Sequence, residues 1–340
     1  MNIELHVRPE QVPLSWDEFV ATHVSGSIAL DGYVRGGPRY DVGAYVDSTQ
    51  IGPPRANFNH HEEVDRLATR ATCAQVLMAI RQGLFTVFRE IDLPTAYVFV
   101  NDCDEDVCTS WFLLNNHALA LQATNPILNR LVAMEDALDA TAGAYPFPQD
   151  LPALRGLAWV FEPYRQFRLS GGLDRRDAGQ YRSIIEDVYG RIERHVVGRG
   201  GEVALDTRYE RIGGGAGWAM VREIGAQART GMFGDGIHAY VSVRQRPDGR
   251  YTYVLGRMSQ FVPFDLPNLF ARLNEHEHCV DSADRWGGSD TVGGSPRVGG
   301  SRLTPDEVER VVREHQPGKI RQRQGSVVIN GRGVAAARKS

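Results

Sequence analysis

Apolar residues along the first 145 positions recur with two alternating periods, and that alternation predicts strands interleaved with helices. "RYDVGAYVD" (39–47) reads as a buried strand with an aspartate near each end. From about Glu62 to Leu84, the residues Val64, Leu67, Ala68, Ala71, Ala74 and Met78 fall at three- and four-residue steps, which builds one apolar helix face. Glu62 and Glu63 occupy the first turn of that helix, where the macrodipole favours negative charge. "TAYVFV" (95–100) is a strongly β-forming run, and "TSWFLLNNHALAL" (109–121) again has helical spacing. Repeated strand-then-helix order argues for a parallel sheet covered by helices.

The pattern then changes. Residues 142–168 are rich in proline, glycine and aromatics and read as a connector, followed by a helix near 177–196. Farther on, "AYVSVRQRPDGRYTYVLGRM" has two alternating runs around Pro247-Asp248-Gly249, a hairpin signal. "LPNLFARLNEHE" predicts a helix, and a glycine-rich stretch then feeds another helix capped at Thr304 with Glu307 three residues on. The expected fold is α/β: a parallel-sheet N-terminal domain over 1–145, a connector with a helix over 146–200, a smaller α+β C-terminal domain over 201–316 and a basic tail over 317–340.

Composition narrows the function classes. Charged residues make up 24% of the chain but the net charge is only −4, so no global field draws it to nucleic acid or anionic lipid. The tail from Lys319 differs, with six basic and no acidic residues, as in a solvated end or a phosphate-contacting arm. A groove for long nucleic acid needs basic residues interleaved with aromatics, and only this tail hints at one, so long nucleic acid is not an expected partner. Cys73, Cys103, Cys108 and Cys279 form no CxxC pair, which leaves a reducing compartment as the simpler expectation. No charged start precedes an apolar run, and no stretch nears the roughly 18 apolar residues that span a bilayer. The sequence therefore reads as a cytoplasmic protein without a membrane partner.

Candidate chemistry begins at "VNDCDEDVCTS" (100–110), which places Asp102, Asp104 and Asp106 at alternate positions where a strand ends. The carboxyl ends of strands open onto the ligand crevice of an α/β sheet. Carboxylates this close repel one another, and desolvating them is costly unless a cation sits among them; a solvated acidic loop is the plainer alternative. Asp41 and Asp47, on or beside another strand, could complete a ligand set. The doublet His60-His61 stands between an inferred strand and a helix, a corner where one ring can ligate a metal while its neighbour contacts substrate. A helix start that happens to carry histidines is the alternative there. Farther along, Asp136 and Asp139 are one helical turn apart and share a face.

Oxygen ligands beside imidazoles suit Mn²⁺ or Mg²⁺, with Fe²⁺ and Zn²⁺ as alternatives. In the second half, "GGSDTVGGSPRVGGS" (287–301) can turn successive N–H groups toward an anion, with Arg297 and Arg302 beside them; a flexible surface loop has the same composition. His276, His278 and Cys279 cluster as well, but positions two apart on a helix point to different sides and make a poor zinc site.

Together these residues resemble the DHH phosphoesterase superfamily. Its members carry an N-terminal α/β domain with a dimanganese site and a smaller C-terminal domain that closes over the substrate. The signature Asp-His-His stands here as Asn59-His60-His61, one carboxylate fewer. The opening motif His-x-Asp-x-Asp-x-x-x-Ser matches Asp102 to Ser110, with Asp102 in place of the histidine and the motif following the double histidine, as in a permuted chain. A second mapping runs through His23 and Asp31 of "THVSGSIALDG" (22–32), with "DVGAYVD" as second motif and "MEDALDATAG" as fourth. Both mappings stay open. The resemblance spans both halves, because the family's C-terminal domain ends in a hairpin, a helix and a Gly-Gly-rich loop.

What the resemblance implies is a metal-dependent phosphohydrolase or phosphodiesterase acting on a small phosphorylated or nucleotide substrate. Two cations about 3.5–4 Å apart would be held by Asp41, His60, Asp102, Asp104, Asp106 and Asp136 or Asp139. Asp104 and His61 would carry the catalysis, His61 by binding a phosphoryl oxygen or protonating the leaving group. Gly293, Gly294, Ser295 and Arg297 would hold the distal phosphate. The alternative is a non-catalytic nucleotide- or phosphate-binding module on a degenerate fold of this kind, toward which Asn59 and Asp102 point. Nothing in the sequence fixes the oligomeric state, a homodimer included.

Overall fold

The computed structural model describes residues 2–43, 45–46, 49–50, 54–90 and 93–315. Its architecture is mixed α/β, built on two six-stranded sheets. The first runs in the order Asn2–Val7, Leu93–Val100, Ser27–Leu30, Arg55–Phe58, Arg39–Asp41. Parallel ladders join the first four of these strands. Arg39–Asp41 and the short strand Arg89–Glu90 add antiparallel edges, so the sheet is mixed where an all-parallel one was expected. Ser27–Leu30 lies between two parallel neighbours and is buried throughout, Ser27 included, whose hydroxyl donates to Val24 O. Ile28, Leu30 and Val98 share one core with Val76 of helix Thr72–Arg81, Phe112 of helix Glu105–Asn115 and Leu131 of helix Pro126–Ala140.

Parallel strands release the chain at a common edge. Leu30 runs into Asp31, Phe58 into Asn59-His60-His61, and Val100 into Asn101-Asp102. The registers Leu30↔Phe58 and Ala29↔Phe99 set those three ends side by side.

Local structure departs from the hydrophobic pattern in three places. The helix expected from Glu62 begins only at Thr72. Before it, Glu63 takes φ +58°, Asp65 Oδ1 accepts from Leu67 N and Ala68 N in a turn, and Arg66 is buried, so the segment is committed to a non-helical path. Leu67 and Met78, part of the supposed apolar face, are exposed. The buried strand expected over 39–47 is an exposed edge strand, Arg39–Asp41, followed by a separate pairing of Tyr45–Val46 with Thr49–Gln50. Asp47 lies outside the described residues, as does the tail 317–340.

The third departure is the expected connector. It holds helices Pro152–Val160 and Glu162–Leu169, whose Leu154, Leu157, Val160 and Phe161 belong to the first core with Tyr181 and Ile185 of helix Ala178–Val196. Its prolines start helices: Pro152 and Pro163 sit in first turns, where the missing N–H has no partner to lose.

The second sheet runs Gly287–Gly288, Val292–Gly294, Tyr251–Arg257, Ala239–Gln245, Trp218–Glu223, Tyr209–Gly215. The expected hairpin joins Ala239–Gln245 to Tyr251–Arg257, with Asp248 Oδ1 accepting from Arg250 N in its turn. Leu269 and Leu273 of helix Leu266–Glu277 and Val308 and Val312 of helix Pro305–His315 form a second core with Val241 and Leu255. Thr304 and Glu307 make the expected reciprocal cap.

The glycine-rich stretch is not an open loop. A β-carbon on Gly293 would lie 2.3 Å from Gly287 O and 2.4 Å from Phe270 Cζ, so glycine there lets strand approach strand. Among the described residues no helix is long and apolar enough to cross a membrane.

Candidate metal centre

The three strand ends and the end of helix Pro126–Ala140 converge on His60. Its ring is buried, and Nε2 lies 2.6 Å from Asp139 Oδ2, 3.5 Å from Asp106 Oδ2 and 3.6 Å from Asp31 Oδ1. His61 is partly exposed, with Nε2 2.7 Å from Asp31 Oδ1. Two overlapping groups, Asp31-His60-His61 and His60-Asp106-Asp139, bring donor atoms close enough to hold a metal ion.

Each carboxylate is fixed from behind. Asp106, in the first turn of its helix, accepts from Thr72 N and Cys73 N at 2.6 Å each, the opening amides of a second helix that have no partner within it. Thr72 Oγ1 donates to Asp31 Oδ1 at 3.0 Å. Arg66, 2% exposed, donates to both the carboxylate and the main-chain oxygen of Asp139. Asp31 adopts left-handed backbone with φ +49°, a conformation aspartate tolerates better than most side chains. Asp104 caps helix Glu105–Asn115 by accepting from Val107 N at 2.9 Å.

Asp31, Asp106 and Asp139 share this small volume within reach of the charge of Asp104, and the four acidities separate as crowded like charges require. Burial pushes Asp31 up, but His61 and His60 outweigh it and hold the carboxyl well below its usual range. Asp139 is likewise lowered against its burial, by Arg66 and His60. Burial, reinforced by Asp31 and Asp139, raises Asp104 well above the carboxylate range and lifts Asp106 to about 7. For His60, burial and Arg66 act downward, yet Asp139 and Asp31 carry it up to about 9.

This donor set fits a divalent cation. Buried oxygen and imidazole ligands converge, and negative charge is in excess. His60 Nε2 and Asp139 Oδ2 approach to 2.6 Å without the alignment of a hydrogen bond, so both buried atoms lack a well-formed partner. Like charges desolvated together are also where a cation gains most.

Among the residues expected from sequence, His60 and Asp106 meet here with Asp139, His61 flanks them, and Asp104 caps the helix that carries Asp106 without joining either metal-capable group. Asp102 turns elsewhere: Oδ1 accepts from Cys103 N at 2.7 Å and Oδ2 pairs with the Arg297 guanidinium. Asp41 is exposed on the edge strand and accepts from Gly43 N. Asp136 accepts from Ala71 N and Arg70, anchoring the loop ahead of helix Thr72–Arg81. His23 is buried against Tyr33, its Nε2 3.0 Å from the hydroxyl. Cys279 Sγ donates to Asn274 Oδ1, and no metal-capable group forms at His276 or His278 among the described residues.

Gly293, Gly294, Ser295 and Arg297 line the cavity described below, and each is already engaged within the protein, Arg297 through Nη2 on Asp102. Gly293 and Gly294 pair in the sheet, and Ser295 bonds Tyr253 through both its amide and its hydroxyl.

Sequence reasoning gave Asp31 only through the second mapping and gave no role to Arg66 or Thr72. The available signal was Asp31-Gly32 directly after the apolar run Ile28-Ala29-Leu30, the position from which a side chain emerges at the sheet edge.

The centre opens into a cavity of about 940 Å³ lined, among others, by His61, Arg66, Asp139, Arg168, Arg229 and Phe270. No protein-family model, no curated protein and no solved structure matches the chain.

Proposed function

We propose that this chain is a metal-dependent phosphohydrolase or phosphodiesterase acting on a small phosphorylated or nucleotide substrate, on a permuted relative of the DHH phosphoesterase scaffold. One observation carries the reading: Asp31, His60, Asp106 and Asp139, distant in sequence, converge beside a cavity that Asp139 lines and whose walls include several arginines. In this reading the first sheet and its helices are the metal-binding domain, and the second sheet with its helices is the substrate-binding domain. The inverted motif order is no obstacle, because parallel strands deliver their ends to one edge whatever order the chain visits them.

Asp31, His60, Asp104, Asp106 and Asp139 would hold the ions, with Mn²⁺ preferred and Mg²⁺, Fe²⁺ or Zn²⁺ as alternatives. Bound ions of this kind lower the pKa of a water to about 7 and polarise a phosphoryl oxygen. The protein's own groups supply the remainder. His61 Nε2 is held by Asp31, which fixes the ring and leaves Nδ1 to meet a phosphoryl oxygen or the leaving group. Arg66 keeps Asp139 oriented. Asn59 is not a lost ligand in this reading: its Nδ2 donates to Val34 O and Gly36 O, which an ionised aspartate could not do.

A non-catalytic phosphate-binding module is the second reading, favoured by Asp102, whose carboxylate goes to Arg297 and not to the cluster. A phosphate-release screen with Mn²⁺ across short oligonucleotides, cyclic dinucleotides, nucleoside phosphates and pyrophosphate, repeated after chelation, separates the two. Asp104→Asn retains the capping oxygen and should abolish metal-dependent release without lowering the melting temperature. Full activity in that variant overturns the assignment, and release that survives chelation overturns the metal dependence.

A further inference from the structure

We infer that Arg66, Arg168 and Arg229 form an anion seat on the cavity wall that takes a phosphoryl group adjoining the one at the metal centre. The inference rests on the phosphohydrolase reading for what occupies the centre itself. It starts from what the expected phosphate site has already committed. Gly293 and Gly294 are spent on strand pairing, Ser295 is spent on Tyr253, and Arg297 is paired with Asp102.

The three other arginines all line the cavity and have donors in excess of their acceptors. Arg66 uses Nε and Nη2 on Asp139, while its buried Nη1 has no partner. A buried guanidinium N–H without an acceptor is costly, and an anionic oxygen is the acceptor it favours. Arg168 and Arg229 share one carboxylate: Arg168 Nη1 donates to Glu223 Oε2 at 2.8 Å, and Arg229 Nε to Glu223 Oε1 at 3.4 Å. Two guanidinium groups against one carboxylate leave a net positive charge, and the side chains are only 24%, 26% and 8% exposed for Arg168, Arg229 and Glu223.

These groups adjoin the centre. Arg229 packs on Gly143, where a β-carbon would lie 3.4 Å from Arg229 Cβ. Gly143 N donates to Leu138 O in the turn that closes helix Pro126–Ala140, and Arg66 holds Asp139 O in the same turn. Tyr164, on the same wall, feels the charges of both Asp104 and Arg168. Planar guanidinium forks match the oxygens of a phosphoryl group. The ligand class is therefore one with two contiguous phosphoryl groups, a phosphoanhydride or the polyphosphate end of a nucleotide, in preference to a lone monoester.

The test uses imidodiphosphate, a pyrophosphate whose bridge resists hydrolysis, titrated calorimetrically into the Mn²⁺-loaded full chain. Arg168→Gln and Arg229→Gln should each weaken its binding roughly tenfold or more, the worth of a charge-assisted hydrogen bond. Glu223→Gln should tighten it by freeing both arginines, a change in the direction opposite to that of simple destabilisation. Mn²⁺ affinity should hold in all three, and orthophosphate binding should change little. Wild-type affinity in both arginine variants, weakened binding in Glu223→Gln, or no binding of imidodiphosphate to the wild type overturns the seat. Binding that responds as described, with no phosphate release from any compound, leaves the seat standing and removes the hydrolase reading.

Discussion

The metal centre and the cavity beside it treat buried charge in opposite ways. Around His60, Asp31, Asp106 and Asp139 crowd together within reach of the charge of Asp104, their acidities forced apart. Across the cavity lining, Asp174 is matched one to one with a guanidinium group, accepting two bonds from Arg244 at 2.6 and 2.8 Å. A matched pair has had its desolvation offset inside the protein. A crowd of like charges has not, and that imbalance is what marks a place for a ligand.

Removing the ring that the carboxylates face is the most damaging test of this contrast. His60→Ala should lower Mn²⁺ affinity on the order of 10²-fold or more, beyond the loss that changing an outer hydrogen-bonding partner brings. Arg244→Ala, on the matched side, should leave Mn²⁺ binding unchanged. Equal losses in the two variants, measured by metal titration of the purified proteins, would erase the distinction.

Acidity sharpens the contrast next. His60 titrates at about 9 in the folded protein against an ordinary 6.5, so its contribution to stability is full below pH 6.5 and disappears as pH rises through 9. Asp106, lifted from 3.8 to about 7, acts in the same direction at lower pH, because its burial resists ionisation. In chelator the melting temperature should therefore fall as pH is raised from roughly 6 to 9, and excess Mn²⁺ should cancel that fall. Mn²⁺ affinity should climb over the same interval with release of protons, since both groups must deprotonate to bind a cation. A pH-independent Mn²⁺ affinity with no proton release would contradict the protonation states described here.

Parts of this were legible from local chemistry. The Thr304–Glu307 cap, the turn at Asp248-Gly249, and the placing of His60 just past a strand end each depend on a few neighbouring residues, and each is present, whereas Asp104 and Asp106 stand at the start of the helix that follows their strand. Asp31 was harder, because a single aspartate after three apolar residues competes with Asp41 and Asp47, which bracket a longer hydrophobic run. What distinguishes Asp31 is the central position of its strand, and strand order is a non-local property. The helix start was misplaced because apolar spacing continues back to Val64, whereas the chain there is bent by Arg66 reaching Asp139, 73 residues away. Proline density misled over 142–168 for a different reason: a proline in a first turn and a proline in a linker look alike until the following apolar stripe is weighed.

A gentler change reaches the same centre from behind. Thr72→Val removes the hydroxyl that donates to Asp31 Oδ1 while keeping the shape of the side chain. Mn²⁺ affinity should fall about tenfold, the lower end for a partner that orients a ligand. Serine at this position should restore it. If valine binds Mn²⁺ as the wild type does, Asp31 is held well enough without the hydroxyl, and the layered account of the centre loses that element.

The smallest effect on ligand binding should come from Gly293, and it decides what the glycine-rich stretch is for. Were 287–301 an anion nest, Gly293→Ala would weaken phosphate binding at little cost to stability. In the sheet, the new methyl meets Gly287 O and Phe270 Cζ at distances no side-chain rotation can relieve, because one partner is main chain. Overpacking of this kind costs about 1–3 kcal/mol, and it falls on the second sheet alone. The melting temperature should drop while the affinities for Mn²⁺ and imidodiphosphate hold at temperatures where the protein stays folded. A Gly293→Ala protein with unchanged melting temperature and weakened anion binding would return phosphate recognition to the glycine strip and take it from the three arginines.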